Sequence, residues 1–223
     1  MIPEPLTLLL LSLLGGLLAL DATSLGQFML SRPLVAAGLA GMIAGNPEGG
    51  IVVGVLLEAV HLAVLPVGAA RYPEAGPAAV AAAGAYAGAG VHQQVALMAS
   101  VVFMLAWGWF GGRTVEWLRQ WNARTVVPPP GPLDPETVEQ VHRHALVLDF
   151  ARGVLVTLAG LLVLGTLLET LGWIPFREQW TRPALALSAA AALASSLRLF
   201  GRRRLPLFVA GAAAGALLLW LRP

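Results

Sequence analysis

Residues 49–70 read GGIVVGVLLEAVHLAVLPVGAA, and this stretch decides the fold class. Its 22 residues hold one charge, Glu58, and one histidine, His61. A run of roughly 20 apolar residues is what a helix needs to cross a bilayer. A lone carboxylate in its middle costs about 2.5–3.5 kcal/mol on insertion scales, so it must line a cavity or meet a partner. His61 follows three positions later, which puts both side chains on one face of a helix. Such a face can pair with itself inside a bundle, or form a polar wall for a hydroxylated solute.

Outward from this stretch the chain keeps the same character. Leu6–Leu20 is a leucine-rich run ending at Asp21, and Pro33–Gly45 is charge-free but short, closed by the turn Gly45-Asn46-Pro47. Ala75–Gly112 contains no Asp, Glu, Lys or Arg; it reads as a short alanine-rich piece, Pro77–Gly90, and a crossing, Val95–Phe110. Three further apolar runs follow at Leu146–Leu171, Pro183–Leu197 and Leu205–Leu221. Overall, 57% of the residues are hydrophobic and 12% charged, with mean hydropathy +0.76. A soluble domain carries roughly 25% charged residues. The expectation is an all-α polytopic membrane protein of about six to eight spanning or re-entrant segments. Segments of about 13 residues reach only about 20 Å, so they belong to re-entrant hairpins or are packed inside protein.

The division expected is an N-terminal membrane region with broken segments (1–112), a polar cytoplasmic loop with amphipathic helices (113–145) and C-terminal membrane helices (146–223). Within the loop, Thr114–Asn122 is amphipathic, and Asp134-Pro135-Glu136 is a helix start with an N-cap and Pro at the first position. Arg113, Arg119, Arg124 and Arg143 lie in this loop; Arg198, Arg202, Arg203 and Arg204 lie in the last basic one. Only Arg177 and Arg182 lie between the two intervening spans, which places the clustered arginines in the cytoplasm. The first basic residue is Arg32, after the leading apolar run, so a signal peptide is not expected.

Missing residue types exclude several chemistries. There is no cysteine, hence no thiolate site or disulfide. All 14 basic residues are arginine, which removes a P-loop and a Schiff-base lysine. The arginines sit between apolar runs, a pattern that fits no nucleic-acid partner. No metal or cofactor is expected. Small-residue spacings at Gly41 and Gly45, Gly50 and Gly54, Gly84 and Gly88, and Gly211 and Gly215 read as close helix packing.

The candidate solute-binding residues are Asp21, Gln27, Glu58 and His61. Asp21 serves either as a cap at the end of the first apolar run or as a site residue; Gln27 is either an ordinary packed amide or a partner for a solute hydroxyl. Gln93 and Gln94 read as interfacial. Asp149 and Arg152, spaced i,i+3, read as a local ion pair. His142 and His144 flank Arg143 on the polar helix and read as solvated, with contact to a phosphorylated partner as the other reading.

Several blocks of this text resemble a known family. They are Leu20-Asp21, Gln27-Phe28, Ser31–Ala36, Gly41 and Gly45–Ile51, then Gly54–Glu58, Leu65–Ala70 and Pro73-Glu74. Together they resemble the IIC membrane subunit of the mannose/sorbose class of the bacterial phosphotransferase system (PTS). The match is specific over about Ala19–Val80 and continues beyond Arg113 as the order of segments. The resemblance implies an elevator-like fold in the bacterial cytoplasmic (inner) membrane and a permease working as part of an oligomer. It implies pairing with a IID membrane subunit, while cytosolic IIA and IIB relay phosphate from phosphoenolpyruvate to the sugar. The subunit itself is then non-catalytic, with sugar contacts on Asp21–Gln27 and around Glu58. The other readings are a non-transporting scaffold or regulatory subunit, and a proton-coupled transporter using Glu58 and His61 as a relay.

Overall fold

The computed structural model describes residues 2–62, 64, 71–89, 93–125, 134–171 and 205–220, with 190, 194 and 203. Leu65–Ala70, Gly90–His92, the proline run at 128–132, the loop at 172–182 and most of the Pro183–Leu197 run lie outside the described residues.

Among the described residues there are seven helices and no strand: α1 (Pro5–Thr23), α2 (Pro33–Ile43), α3 (Pro47–His61), α4 (Ala75–Ala87), α5 (Gln93–Thr125), α6 (Pro135–Leu171) and α7 (Leu205–Trp220). Proline sits in the first positions of α1, α2 and α3, where a missing N–H costs nothing. Asn46 starts α3 by accepting the Gly49 amide at 2.9 Å. Asp134 starts α6 as expected, accepting the Thr137 amide and hydroxyl, both at 2.8 Å.

Three helices are long and apolar enough to cross a bilayer: Pro5–Thr23, Ala96–Arg124 and Pro135–Leu171. By contrast α2, α3 and α4 reach only about 17, 23 and 20 Å at 1.5 Å per residue, short of a roughly 30 Å hydrocarbon core. The short α4 is packed inside protein. Ala78–Ala83 and Ala85 are at most 1% exposed, surrounded by α1, α2, α3, α5 and α6. Alanine and glycine allow this crowding, because small side chains let helix backbones approach closely. A Cβ on Gly84 would come 2.7 Å from Leu11 and 2.9 Å from Leu161. The helices α2 and α3 form a hairpin whose backbones touch, with a Cβ on Gly41 falling 2.8 Å from the Gly50 Cα. The positive φ of Gly45, 76°, turns the chain between them.

The long helices differ from the sequence reading. Thr114–Asn122, read as a piece apart from the crossing, continues α5 without a break, and the segment beginning at Pro135 runs straight into the span Leu146–Leu171. Hydropathy marks where lipid ends, not where a helix ends. Gly111-Gly112, which looks like punctuation, lies inside α5 because the chain at Tyr72–Glu74 presses against it there. A Cβ on Gly111 would sit 2.7 Å from a Glu74 carboxylate oxygen.

The neighbours fix relative directions. Leu11 and Leu161 meet across Gly84, and Ser24 meets Asp149, so α1 and α6 are antiparallel. Glu74 meets Arg152 while Gly84 meets Leu161, so α4 runs alongside α6 in the same direction. The end of α1, the start of α2 and the start of α4 therefore gather at one end of the bundle. Arg119 and His142 lie at that same end.

Candidate functional site

The buried titratable side chains of the described residues gather at this end: Asp21 on α1, His61 at the close of α3, Glu74 ahead of α4 and Asp149 on α6. Ser24 and Arg152, half-buried, join them. Deeper in the bundle the buried polar groups of the described residues are hydroxyls only, Ser12, Ser100 and Thr157, among alanine and leucine.

Glu58 meets a partner, and the partner is Arg32 rather than His61. Arg32 Nε donates to Glu58 Oε1 at 2.7 Å, and a second guanidinium nitrogen donates to the same oxygen. The other oxygen accepts the Leu34 amide at 3.3 Å. Arg32 is the residue just before α2, so the carboxylate sits over a helix start, where exposed amides favour negative charge. The same arginine also donates to the Val64 carbonyl at 3.3 Å. Both side chains of the pair are 18% exposed.

His61 is buried, and its Nδ1 faces the Leu57 carbonyl at 3.0 Å, one helical turn back. It borders a cavity of about 40 Å³, whose other walls include Ala22, Arg32, Tyr72 and Gly76. One water occupies about 10–15 Å³ by this measure, so the space suits a few waters. A sugar ring does not fit it.

Asp21 is a structural clamp. Its two oxygens accept the amides of Phe28 at 2.7 Å and Ser31 at 2.8 Å. These bonds hold the α1–α2 connection, where Gly26, Gln27 and Met29 have φ of 85°, 53° and 64°. Asp21 thus caps the connection after α1. Gln27 is exposed in that connection, away from the buried cluster. The structure brings Glu58, His61 and the end of α1 to one end of the bundle but leaves Gln27 on its surface.

Sequence reading missed the strongest charge cluster. Arg152 reaches beyond its i,i+3 partner Asp149, bonded at 2.8 and 3.0 Å, to grip both oxygens of Glu74 at 2.6 and 2.7 Å. It also donates to the Thr114 hydroxyl at 2.9 Å, so one guanidinium ties α4, α5 and α6 together. Glu74 is 2% exposed, and its amide donates to the Gly108 carbonyl at 2.8 Å. Asp149 in turn accepts from Ser24 at 2.5 Å, adding α1 to the network. The available signal was three glycines, Gly108, Gly111 and Gly112, on one turn of α5, marking where another segment must approach.

Beside this network, between α1, α5 and α6, lies a larger polar pocket of about 290 Å³. Thr23, Ser24, Arg119, Asn122, His142 and Asp149 supply its polar lining. Among the described residues no group of three or more His, Asp or Glu is placed to hold a metal.

A helical bundle with three long apolar helices, short buried ones between them and charges gathered at one end defines a polytopic membrane protein. Residues 5–119 match EII-Sor, the PTS system sorbose-specific IIC component, and the chain belongs to that family. Among curated proteins, none matches the chain. Two solved structures share its fold. One, described as the structure of a membrane protein, has TM-score 0.75 and 20% identity, covering 96% of this chain and 87% of the other. The second is the cryoEM structure of the mannose transporter ManYZ in complex with microcin E492 (MceA). It has TM-score 0.55 and 17% identity, and the match covers 97% of this chain and 88% of that one.

Proposed function

We propose that this IIC subunit binds a sugar within the inner membrane of a bacterium and passes it to the cytoplasm, paired with a IID membrane subunit. Cytosolic IIB, recharged by IIA, phosphorylates the sugar there, so the phosphoryl chemistry lies on partners. The observation that supports this reading is the gathering of the buried titratable groups, Asp21, His61, Glu74 and Asp149, at the end where Arg113, Arg119, Arg124 and Arg143 also lie. By the arginine count that end faces the cytoplasm.

In this reading Glu58, His61, Asp21 and Gln27 serve the sugar in different ways. Glu58 exchanges its bonds to Arg32 for sugar hydroxyls, which widens the small cavity that His61 borders. Asp21 holds the α1–α2 connection in shape, and Gln27 meets the solute from the surface of that connection. A Glu58–His61 proton relay has less support, because Glu58 bonds Arg32 and Leu34 while His61 turns to Leu57.

Uptake of labelled mannose and sorbose by cells expressing this chain with its IID, IIA and IIB partners tests the proposal. Uptake should require phosphoenolpyruvate, and Glu58→Ala should lower it about tenfold or more, while the subunit still inserts. Uptake that follows a proton gradient without phosphoenolpyruvate would overturn it, as would undiminished uptake by the variant.

A further inference from the structure

The pocket between α1, α5 and α6 is not needed by any of the roles just assigned. Its volume of about 290 Å³ lies near the lower bound of roughly 300 Å³ for small-molecule sites, and far above that of the cavity beside His61. Its lining offers both donors and acceptors. The Asp149 carboxylate accepts; the Thr23 and Ser24 hydroxyls and the Asn122 amide do both; Arg119 donates. His142 stands at its edge, exposed. Val115, Leu118 and Leu146 supply an apolar wall.

Charge in this neighbourhood is close to balanced. Glu74 and Asp149 are set against Arg152 and Arg119, two acids against two bases. Arg119 belongs to no ion pair among the described residues; it lies beside the Tyr72 hydroxyl. A balanced site of mixed donors and acceptors with one apolar wall suits a neutral, hydroxyl-rich ring better than a bare ion.

The two cavities also back onto each other. Ala22 borders the small one and Thr23 the large one. Tyr72 borders the small one and sits beside Arg119, which lines the large one. Adjacent residues of α1 and the Tyr72–Arg119 contact divide them.

We propose that the larger pocket is a second station for a hexose-sized polyol, separated from the Arg32–His61 cavity by the Tyr72–Arg119 contact. That its occupant is a transported sugar rests on the reading of the preceding section; its capacity for a polyol rests on the lining alone. Saturation-transfer NMR on the full chain in nanodiscs tests it with mannose, sorbose, a mannose phosphate ester and inorganic phosphate.

Wild type should bind mannose or sorbose. Asn122→Leu and the exposed His142→Phe should each weaken that binding about tenfold, the scale of a lost hydrogen bond, with thermal unfolding unchanged. A tighter phosphate ester would identify the product as the occupant, a weaker one the free sugar, and both support a polyol site. Absence of sugar binding, equal binding by both variants, or displacement of the sugars by inorganic phosphate alone would overturn it. Phosphoenolpyruvate-dependent uptake with unchanged binding by both variants would defeat this inference and spare the transport reading. Binding lost in the variants without such uptake would do the reverse.

Discussion

Ala78–Ala85 and Glu74 stand a turn apart at the start of one short helix and are almost equally hidden, yet they are held by opposite means. The alanine stretch packs by fit alone, with methyl groups and a glycine against Leu11 and Leu161. Glu74 is held by charge, gripped by a guanidinium that also binds Asp149 and Thr114. A packed apolar centre is sensitive to added volume and indifferent to salt or charge. A buried charge cluster tolerates some loss of volume but not the loss of one partner. The contrast teaches where the molecule is fixed and where it can rearrange: the centre has one arrangement, and the charged end has exchangeable bonds.

The largest expected effect breaks the charged end. Arg152→Ala strands Glu74 and Asp149 without their cation, and removal of one partner of a buried pair costs about 3–5 kcal/mol. Thermal unfolding of the purified chain should show a correspondingly large drop. The double variant Arg152→Ala, Glu74→Ala should recover part of it; equal loss in single and double variants would mean that packing, not charge, fixes this end.

The next effect breaks the apolar centre. Gly84→Leu forces a side chain into Leu11 and Leu161, and overpacking costs about 1–3 kcal/mol. The loss should be indifferent to ionic strength in the same unfolding experiment.

The smallest expected effect sharpens the comparison by repeating the charged end's chemistry in water. Asp134 is fully exposed, and the Thr137 amide and hydroxyl hold its carboxyl below the ordinary carboxylate value. A lowered value in the folded state means the cap is complete above the unfolded carboxylate range and is lost as pH falls through the folded value. The protection of the Thr137 amide, taken relative to its intrinsic exchange rate at each pH, should therefore fall at low pH, and in Asp134→Ala that protection should be low and pH-independent, while the rest of α6 stays protected. A response that spread along α6 would show that the first turn is not independent.

Much of this was legible in the sequence, and the reasons divide cleanly. Glu58 stood out because one charge in 22 residues is conspicuous. Its partner Arg32 did not, because it lies 26 positions away in a break between apolar runs, and no periodicity links the two. Asp149 and Arg152 announced themselves by i,i+3 spacing. Their link to Glu74 is a contact across 78 positions, and Glu74 sits in a turn where a charge is ordinary. The shortness of α4 was legible and left two readings, a re-entrant hairpin or a helix packed inside protein; the neighbours that choose the second come from distant parts of the chain. The continuity of α5 and α6 was hidden, because polar residues end an apolar run without ending a helix. Asp21 was visible as an acid at the end of an apolar run. Its grip on Phe28 and Ser31 depends on the backbone path after it, which composition does not report.

That grip has a mechanical side. Gln27 and Met29 hold left-handed backbone angles that cost L-residues roughly 1–2 kcal/mol each, and two hydrogen bonds to one carboxylate keep them there. Backbone bonds from Leu25 to Leu20 and from Arg32 to Met29 share that duty. Because α2 and α3 meet backbone to backbone and Arg32 ties the start of one to Glu58 on the other, this clasp sets the pose of a whole hairpin rather than of one loop.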